Sequence, residues 1–392
     1  MTFRVAVTGI GIVSNAGIGS AKFWNGLLGG VPDHGFEVKD FDPLPYFDGN
    51  AKEARRCDRF AQFAFAAAAE AIDQAGDFIS DPSRCGSWVG TGVGGLKSLE
   101  EQIHVLSEKG PRRVSPFLIP MMMANAASAG ISMRYGLQGP SETTVTACAA
   151  GTHSIGRAAD LIRNGSCDVM VTGGAEATLT PIGMQGFINM TAVSSSGISR
   201  PFDADRDGFM HSEAAGILVL EEWEHAVKRD AKILGEILSS ASTADAHHIT
   251  APAPGGDGAV RCMSTAIDNA GLSPNDIRHI NAHGTSTPLN DAAEAEAITR
   301  VFGSSSPIVT STKGVTGHAL GAAGAIEAIA VILSMQNELV PQTHGTTALD
   351  PELQSIDLVI GEPREWEPGP SLSNSFGFGG HNGTLVLGPS NQ

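Results

Sequence analysis

The chain has 392 residues, 42% hydrophobic and 17% charged, which is enough for two ordinary domains or one large fused pair around a sizeable core. A formal net charge of −17 at pH 7 argues against nucleic acid or an anionic membrane as the main partner, because either calls for a basic face. The five cysteines, at 57, 85, 148, 167 and 262, are odd in number and lack CxxC spacing. That disfavours a disulfide framework or a structural zinc site and fits a reduced cytoplasmic protein. The N-terminus has no basic segment followed by an apolar leader, and no run reads as the roughly 18 apolar residues of a membrane span.

In chain order, "FRVAVTGIGIV" reads as a buried strand entering a glycine turn, and "DRFAQFAFAAAAEAIDQAG" as an alanine-rich helix stopped by Gly76. "GSWVGTGVGG" is a strand leading into a glycine-rich loop, and "DVMVTGGAEA" and "AAGILVLEEWEHAVKR" continue the alternation of strand and helix. The pattern predicts an α/β layered protein. A second half starts near Gly235: "VRCMSTAIDNAGL" is helical, "IRHINAHGTST" and "PIVTSTKG" are strands with loops, "HALGAAGAIEAIAVILSMQ" is a long apolar helix, and "NGTLVLG" closes the chain as a strand. "DGFMHSEAAGILVLEE" and "FGFGGHNGTLVLGP" echo one another near the two ends of the halves, a faint sign of duplication.

Four loops carry candidate chemistry. Cys148 lies in "TVTACAAGTHSIG", after a segment that alternates like a strand and before a helix marked by Ile155, Ala158, Ala159 and Ile162. Cysteine is often just a buried small residue. A strand-to-helix turn would instead expose a nucleophile and lower its pKa at the helix N-terminus. His283, in "NAHGTSTPLND", follows a strand among small polar residues, with a helix expected from Asn290 or Asp291. His318 opens an apolar helix, where the N-terminal dipole favours a neutral ring. Lys313 precedes it in small-residue surroundings that call for a carboxylate partner, with Glu327 in reach on the next helix. "NSFGFGGHNG" is a glycine-rich loop able to present backbone N–H groups to an oxyanion. All four loops are expected at the carboxyl ends of strands, where ligands gather in α/β sheets.

Taken in order, "TACAAG", "NAHGTSTPLND", "STKGVTGHALGAAGAIE" and "NSFGFGGHNG" resemble the β-ketoacyl-acyl carrier protein synthases, closest to their elongating, KAS II-like branch. "GIGIVS", "ISRPFDADRDGF" and "LVLEEWEHA" extend the likeness over nearly the whole chain. The resemblance implies the thiolase fold: two duplicated α/β halves, 1–234 and 235–392, in five αβαβα layers, usually as a homodimer. It assigns Cys148 as the acyl-accepting nucleophile, His283 and His318 as the histidine pair, and Lys313 with Glu327 as an orienting ion pair. Phe378, flanked by Gly377 and Gly379, becomes the gate and oxyanion wall, with Thr285 and Thr287 in support and Val93 and Leu118 in the acyl pocket. The implied partner is an acyl carrier protein loaded with acyl or malonyl groups; the basic cluster Arg55, Arg56 and Arg59 in "KEARRCDRF" reads either as a docking patch for an acidic partner or as a solvated helix start. No metal or organic cofactor is implied.

The same comparison separates relatives. Initiating synthases resemble one another in carrying Asn where His318 stands, and degradative thiolases use a second cysteine near the chain end, where none follows Cys262. Chain-length-factor subunits lack the nucleophile. A zinc ion on Cys148, His283 and His318 is formally open but secondary. Some positions depart from the elongating pattern: "GFMHSEAAG" brings in His211, His381 stands where Thr is usual, and Val93 and Leu118 are smaller than the expected Ile and Phe. Leu118 is expected at the dimer interface, and these changes imply a roomier or longer acyl pocket. They leave open a ketosynthase subunit of a type II polyketide pathway, working with a chain-length-factor partner.

Overall fold

The computed structural model describes residues 2–303, 305–353 and 356–390. Its centre is a twelve-stranded mixed sheet. In chain order the first half contributes Val5–Ser14, Cys85–Gly90, Ser141–Glu142, Val169–Glu176 and Ala214–Glu222. The second contributes Gly235–Ala244, His279–Asn281, Ile308–Thr310, Ser371–Gly377 and His381–Gly388. Across the sheet each half runs third, second, fourth, fifth, first, and the two first strands meet antiparallel through Ala6–Glu236 and Val7–Gly235. Within each half the outer three strands are parallel and the next two junctions antiparallel. Gly17–Ile18 and Asp357–Leu358 add short strands to this frame. The two echoing sequence segments fall on the fifth strand of each half, which are equivalent positions.

Side-chain alternation builds the layers, because successive strand residues face opposite sides. Val169 and Val171 pack outward against the helix Arg59–Ala75, while Met170 between them faces inward. In the second half Leu385 and Leu387 face inward, and Val386 packs outward with Cys262, Met263 and Ile298 of the helices Asp257–Asn269 and Pro288–Phe302. The helices Ala150–Arg163 and Ala323–Asn337 fill the space between, giving the five αβαβα layers of the thiolase fold.

That middle position explains one departure from the sequence reading. Leu320–Asn337 is an 18-residue stretch with mean hydropathy 1.3, long and apolar enough for a membrane span, yet 89% of it is buried inside the protein. A helix sandwiched between the two halves of the sheet is apolar all round for the same reason as one in lipid.

His279 also faces the middle layer, since Ile280 beside it belongs to the outer core. Its ring packs edge-on against Trp366, with centroids 5.4 Å apart, and neither ring nitrogen has a protein partner among the described residues. Burial lowers its pKa to about 3. The unfolded chain takes up a proton on this ring below its ordinary value of 6.5, whereas the native protein resists until about 3. His279 therefore withdraws stability as pH falls through that window. His279→Phe should gain on the wild type by about 1.4 kcal/mol per pH unit between pH 6 and pH 4. Urea unfolding at several pH values checks this; a pH-independent difference would refute it.

Candidate active site

Cys148 sits in a 3-10 turn, Ala147–Ala149, that runs directly into the helix Ala150–Arg163. Ala147 adopts φ 49°, a left-handed conformation that costs a non-glycine residue about 1–2 kcal/mol and swings the next side chain out of the helix line. The strand expected before it shrinks to Ser141–Glu142. Beyond that pair, side chains take over from the ladder: Ser128 Oγ donates to the Glu142 carbonyl at 2.6 Å, and Trp88 Nε1 donates to Thr144 Oγ1 at 2.8 Å.

The thiol is buried, and burial pushes its pKa up to about 11 rather than down, against the helix-terminus expectation. Desolvation of the charged form outweighs three opposing influences, namely the backbone N–H groups of Phe378 and of Cys148 itself and the Lys313 charge. The buried and turn readings of this cysteine hold together.

His283 lies two residues beyond the strand His279–Asn281, ahead of a helix that begins at Pro288, slightly earlier than expected. Its N–H and that of Gly284 donate to the two carboxylate oxygens of Glu294, at 2.8 and 2.7 Å. Lys313 Nζ lies 3.4 Å from His283 Nδ1 and pairs with Glu327, all three groups being buried. An ammonium can only donate, so Nδ1 accepts and the ring carries its proton on Nε2. His318 follows Gly317, whose φ of 65° turns the chain between two short helical segments. Its Nε2 is 3.0 Å from Cys148 Sγ, and its ring centroid is 5.4 Å from that of His283. Both rings are held well below the usual imidazole range, first by burial and then by the Lys313 charge. They are neutral at working pH. The Cys148, His283 and His318 donor atoms lie within 4.8 Å of one another, near enough to share an ion, but the adjacent ammonium would repel a cation.

A cavity of about 360 Å³ opens on these groups. Thr285, Thr287, Phe376, Gly377 and Phe378 line one side of it, and Phe187, Met190 and Phe209 another. Gly377 lies against the nucleophile turn, where a Cβ would sit 3.1 Å from the Cys148 nitrogen. Gly379 extends the same loop with φ 83°.

Val93 and Leu118 do not line this cavity. Val93 is 48% exposed on the loop after Cys85–Gly90, and Leu118 opens the short helix Leu118–Met122, the two segments joined by Gly95 N donating to the Met122 carbonyl at 3.2 Å. On this single chain Val93 is exposed and Leu118 part-exposed, a placement compatible with the dimer-interface position expected for Leu118. Arg55 and Arg56 are exposed, with the Arg56 guanidinium 4.0 Å above the Phe117 ring, while Arg59 is taken up by Glu213 at 2.7 Å.

Sequence reasoning missed Glu294, Phe209 and His153. His153 ties Thr146 Oγ1, at 2.8 Å, to the Asn382 carbonyl, at 3.0 Å, and so braces the nucleophile turn against the strand behind the gate loop. A carboxylate on the apolar face of the helix in "NDAAEAEAI" was the available signal for Glu294.

Fold and site together have the architecture of the thiolase-type condensing enzymes. The sequence matches "Beta-ketoacyl synthase, N-terminal domain" over residues 31–226 and "Beta-ketoacyl synthase, C-terminal domain" over residues 234–347. It is 45% identical to 3-oxoacyl-[acyl-carrier-protein] synthase 2 of Synechocystis sp., over 98% of this chain and 97% of that protein. Among solved structures, the ishigamide ketosynthase/chain length factor matches with TM-score 0.91 and 33% identity over all of both chains. A type II PKS acyl-carrier protein in complex with its ketosynthase bound to the hexaketide matches with TM-score 0.88 and 29% identity, again over all of both chains. The chain belongs to the beta-ketoacyl synthase family, and it is an acyltransferase of the ketosynthase type.

Because only the thiolate reacts, alkylation of Cys148 by iodoacetamide should accelerate about tenfold per pH unit from pH 7 to pH 9. Peptide mass spectrometry of timed samples reads this rate. A plateau below pH 9 would mean that the dipole and its helpers outweigh burial.

Proposed function

We propose that the chain condenses an acyl group held on Cys148 with malonyl-acyl carrier protein, with loss of CO₂, to give 3-oxoacyl-acyl carrier protein in fatty acid elongation. The observation that carries this reading is the 3.0 Å approach of Cys148 Sγ to His318 Nε2, with His283 beside it. The name of the 45% identical relative and its near-complete coverage support the elongation role over a specialised polyketide one.

In the first step Cys148 sulfur forms a bond to the acyl carbon, the carrier's C–S bond breaks, and the thiol proton leaves with the departing carrier thiol. The forming thiolate faces His318 Nε2 and the N–H groups of Phe378 and Cys148. Those two amides then serve the tetrahedral oxyanion. In the second step the malonyl C–C bond breaks, CO₂ departs, and the electron pair moves onto the thioester as an enolate. Neutral His283 and His318 donate N–H bonds to that oxygen as charge develops, which a pre-charged ring would do less selectively. The enolate carbon attacks the acyl carbon, Cys148 leaves as thiolate, and a solvent proton restores the thiol. Lys313, bound to Glu327, orients His283 and takes no proton in the cycle.

Carrier-protein partnership is supported by the solved complex that the fold resembles. Homodimerisation is supported by the free outer edge at Ser141–Glu142 and by exposed apolar residues nearby, Ile119, Met123, Met133 and Val145. Five free thiols support a reducing, cytoplasmic setting. The division at 234/235 is supported by the repeated strand order on either side.

Incubation with acyl-loaded carrier protein should add one acyl mass to the Cys148 peptide. Cys148→Ser should lower condensation by about a thousandfold or more; retention of the original rate would end the assignment. His318→Ala should slow malonyl decarboxylation by about 10²–10³-fold while acylation of Cys148 falls much less. Equal losses in the two steps would contradict the division of roles.

A further inference from the structure

His211 packs behind two of the rings that wall this cavity. It lies in "GFMHSEAAG", two residues after Phe209. The ring is 3% exposed. Its Nε2 hydrogen-bonds Thr178 Oγ1 at 2.9 Å, while Nδ1 has no partner among the described residues. Its ring packs edge-to-face on Phe187, at 5.1 Å, and on Phe209, at 6.2 Å, and both of those rings line the cavity that holds Cys148. Burial is the one influence on its titration and holds it at about 4, so the ring is neutral and makes no ion pair.

A leucine would complete this apolar wall. Leaving a ring nitrogen unpaired in the interior is costly, as it is at His279, and leucine would avoid that cost. The cost is recovered if the second nitrogen pairs with the ligand. Phe187, which lines the cavity and packs on His211, belongs to the helix Pro181–Asn189, none of whose residues is buried, so its ring has room to swing outward. A neutral imidazole whose other nitrogen meets a hydroxyl can present Nδ1 as donor or acceptor, and a hydroxyl on the ligand answers either form.

Resting on the condensing reading above, we propose that His211 is a specificity-determining residue that selects acyl chains bearing a hydroxyl oxygen, bound through Nδ1 behind the Phe187 ring.

The test is competition between carrier-protein thioesters of octanoate and of 3-, 5- and 7-hydroxyoctanoate, read both as the acyl mass on Cys148 and as ratios of kcat/KM. The wild type should favour one hydroxyl isomer over octanoate by about tenfold, the effect of one buried hydrogen bond. His211→Leu should erase that ratio, and His211→Gln, which keeps a polar end, should retain part of it. Loading of octanoate on Cys148 with no hydroxyl isomer preferred would overturn the proposal and leave the condensing reading standing. So would a preference that survives in His211→Leu. A wild type that loads no acyl group at all would overturn both.

Discussion

The site depends on how closely the two middle helices approach. At Gly151 an added Cβ would lie 2.9 Å from the Ala325 nitrogen and 3.0 Å from the Gly321 carbonyl oxygen, so backbone meets backbone there. Cys148 precedes Gly151 by one turn, and His318 precedes Gly321 by the same interval. The contact of small residues therefore sets the separation of sulfur and imidazole, and the 3.0 Å distance between them follows from packing. A side chain in that seam would force the helices apart, and a shift of about 1 Å in such a constellation costs about a hundredfold in rate.

Burial then decides the protonation states. Water is excluded from both imidazoles, which keeps them neutral, and the buried Lys313 ammonium reinforces this while its own charge is matched by Glu327. The same ammonium fixes the tautomer of His283 through Nδ1. One ion pair thus selects the donor form of a ring it leaves uncharged. The thiol meets the opposite consequence of dryness, because its reactive form is the charged one. Backbone N–H groups aimed at the sulfur offset part of that penalty where no solvent can.

Much of this was legible in the sequence. Strands and helices declared themselves by periodicity, and Cys148, His283, Lys313, His318 and Phe378 all lie on loops that follow strands, as their small-residue surroundings indicated. What the sequence concealed depends on tertiary context. The irregular path at 143–146 results from hydrogen bonds to Ser128 and Trp88, both distant in the chain. The thiol's pKa reflects a burial that local reasoning about a helix terminus cannot weigh. Val93 and Leu118 lie outside the cavity of the single chain, on segments that pack on one another at its surface. Glu294 and His153 act on backbone groups across the fold, which no short motif announces.

The seam between the halves has a further consequence. Among the described residues the two halves of the sheet pair through Ala6–Glu236 and Val7–Gly235, while the sulfur belongs to one repeat and both imidazoles to the other. Duplication has therefore produced a single composite reaction centre instead of two redundant ones. Neither repeat owns a fraction of the chemistry. Reactivity is a property of the join, and whatever loosens it dismantles the whole centre at once.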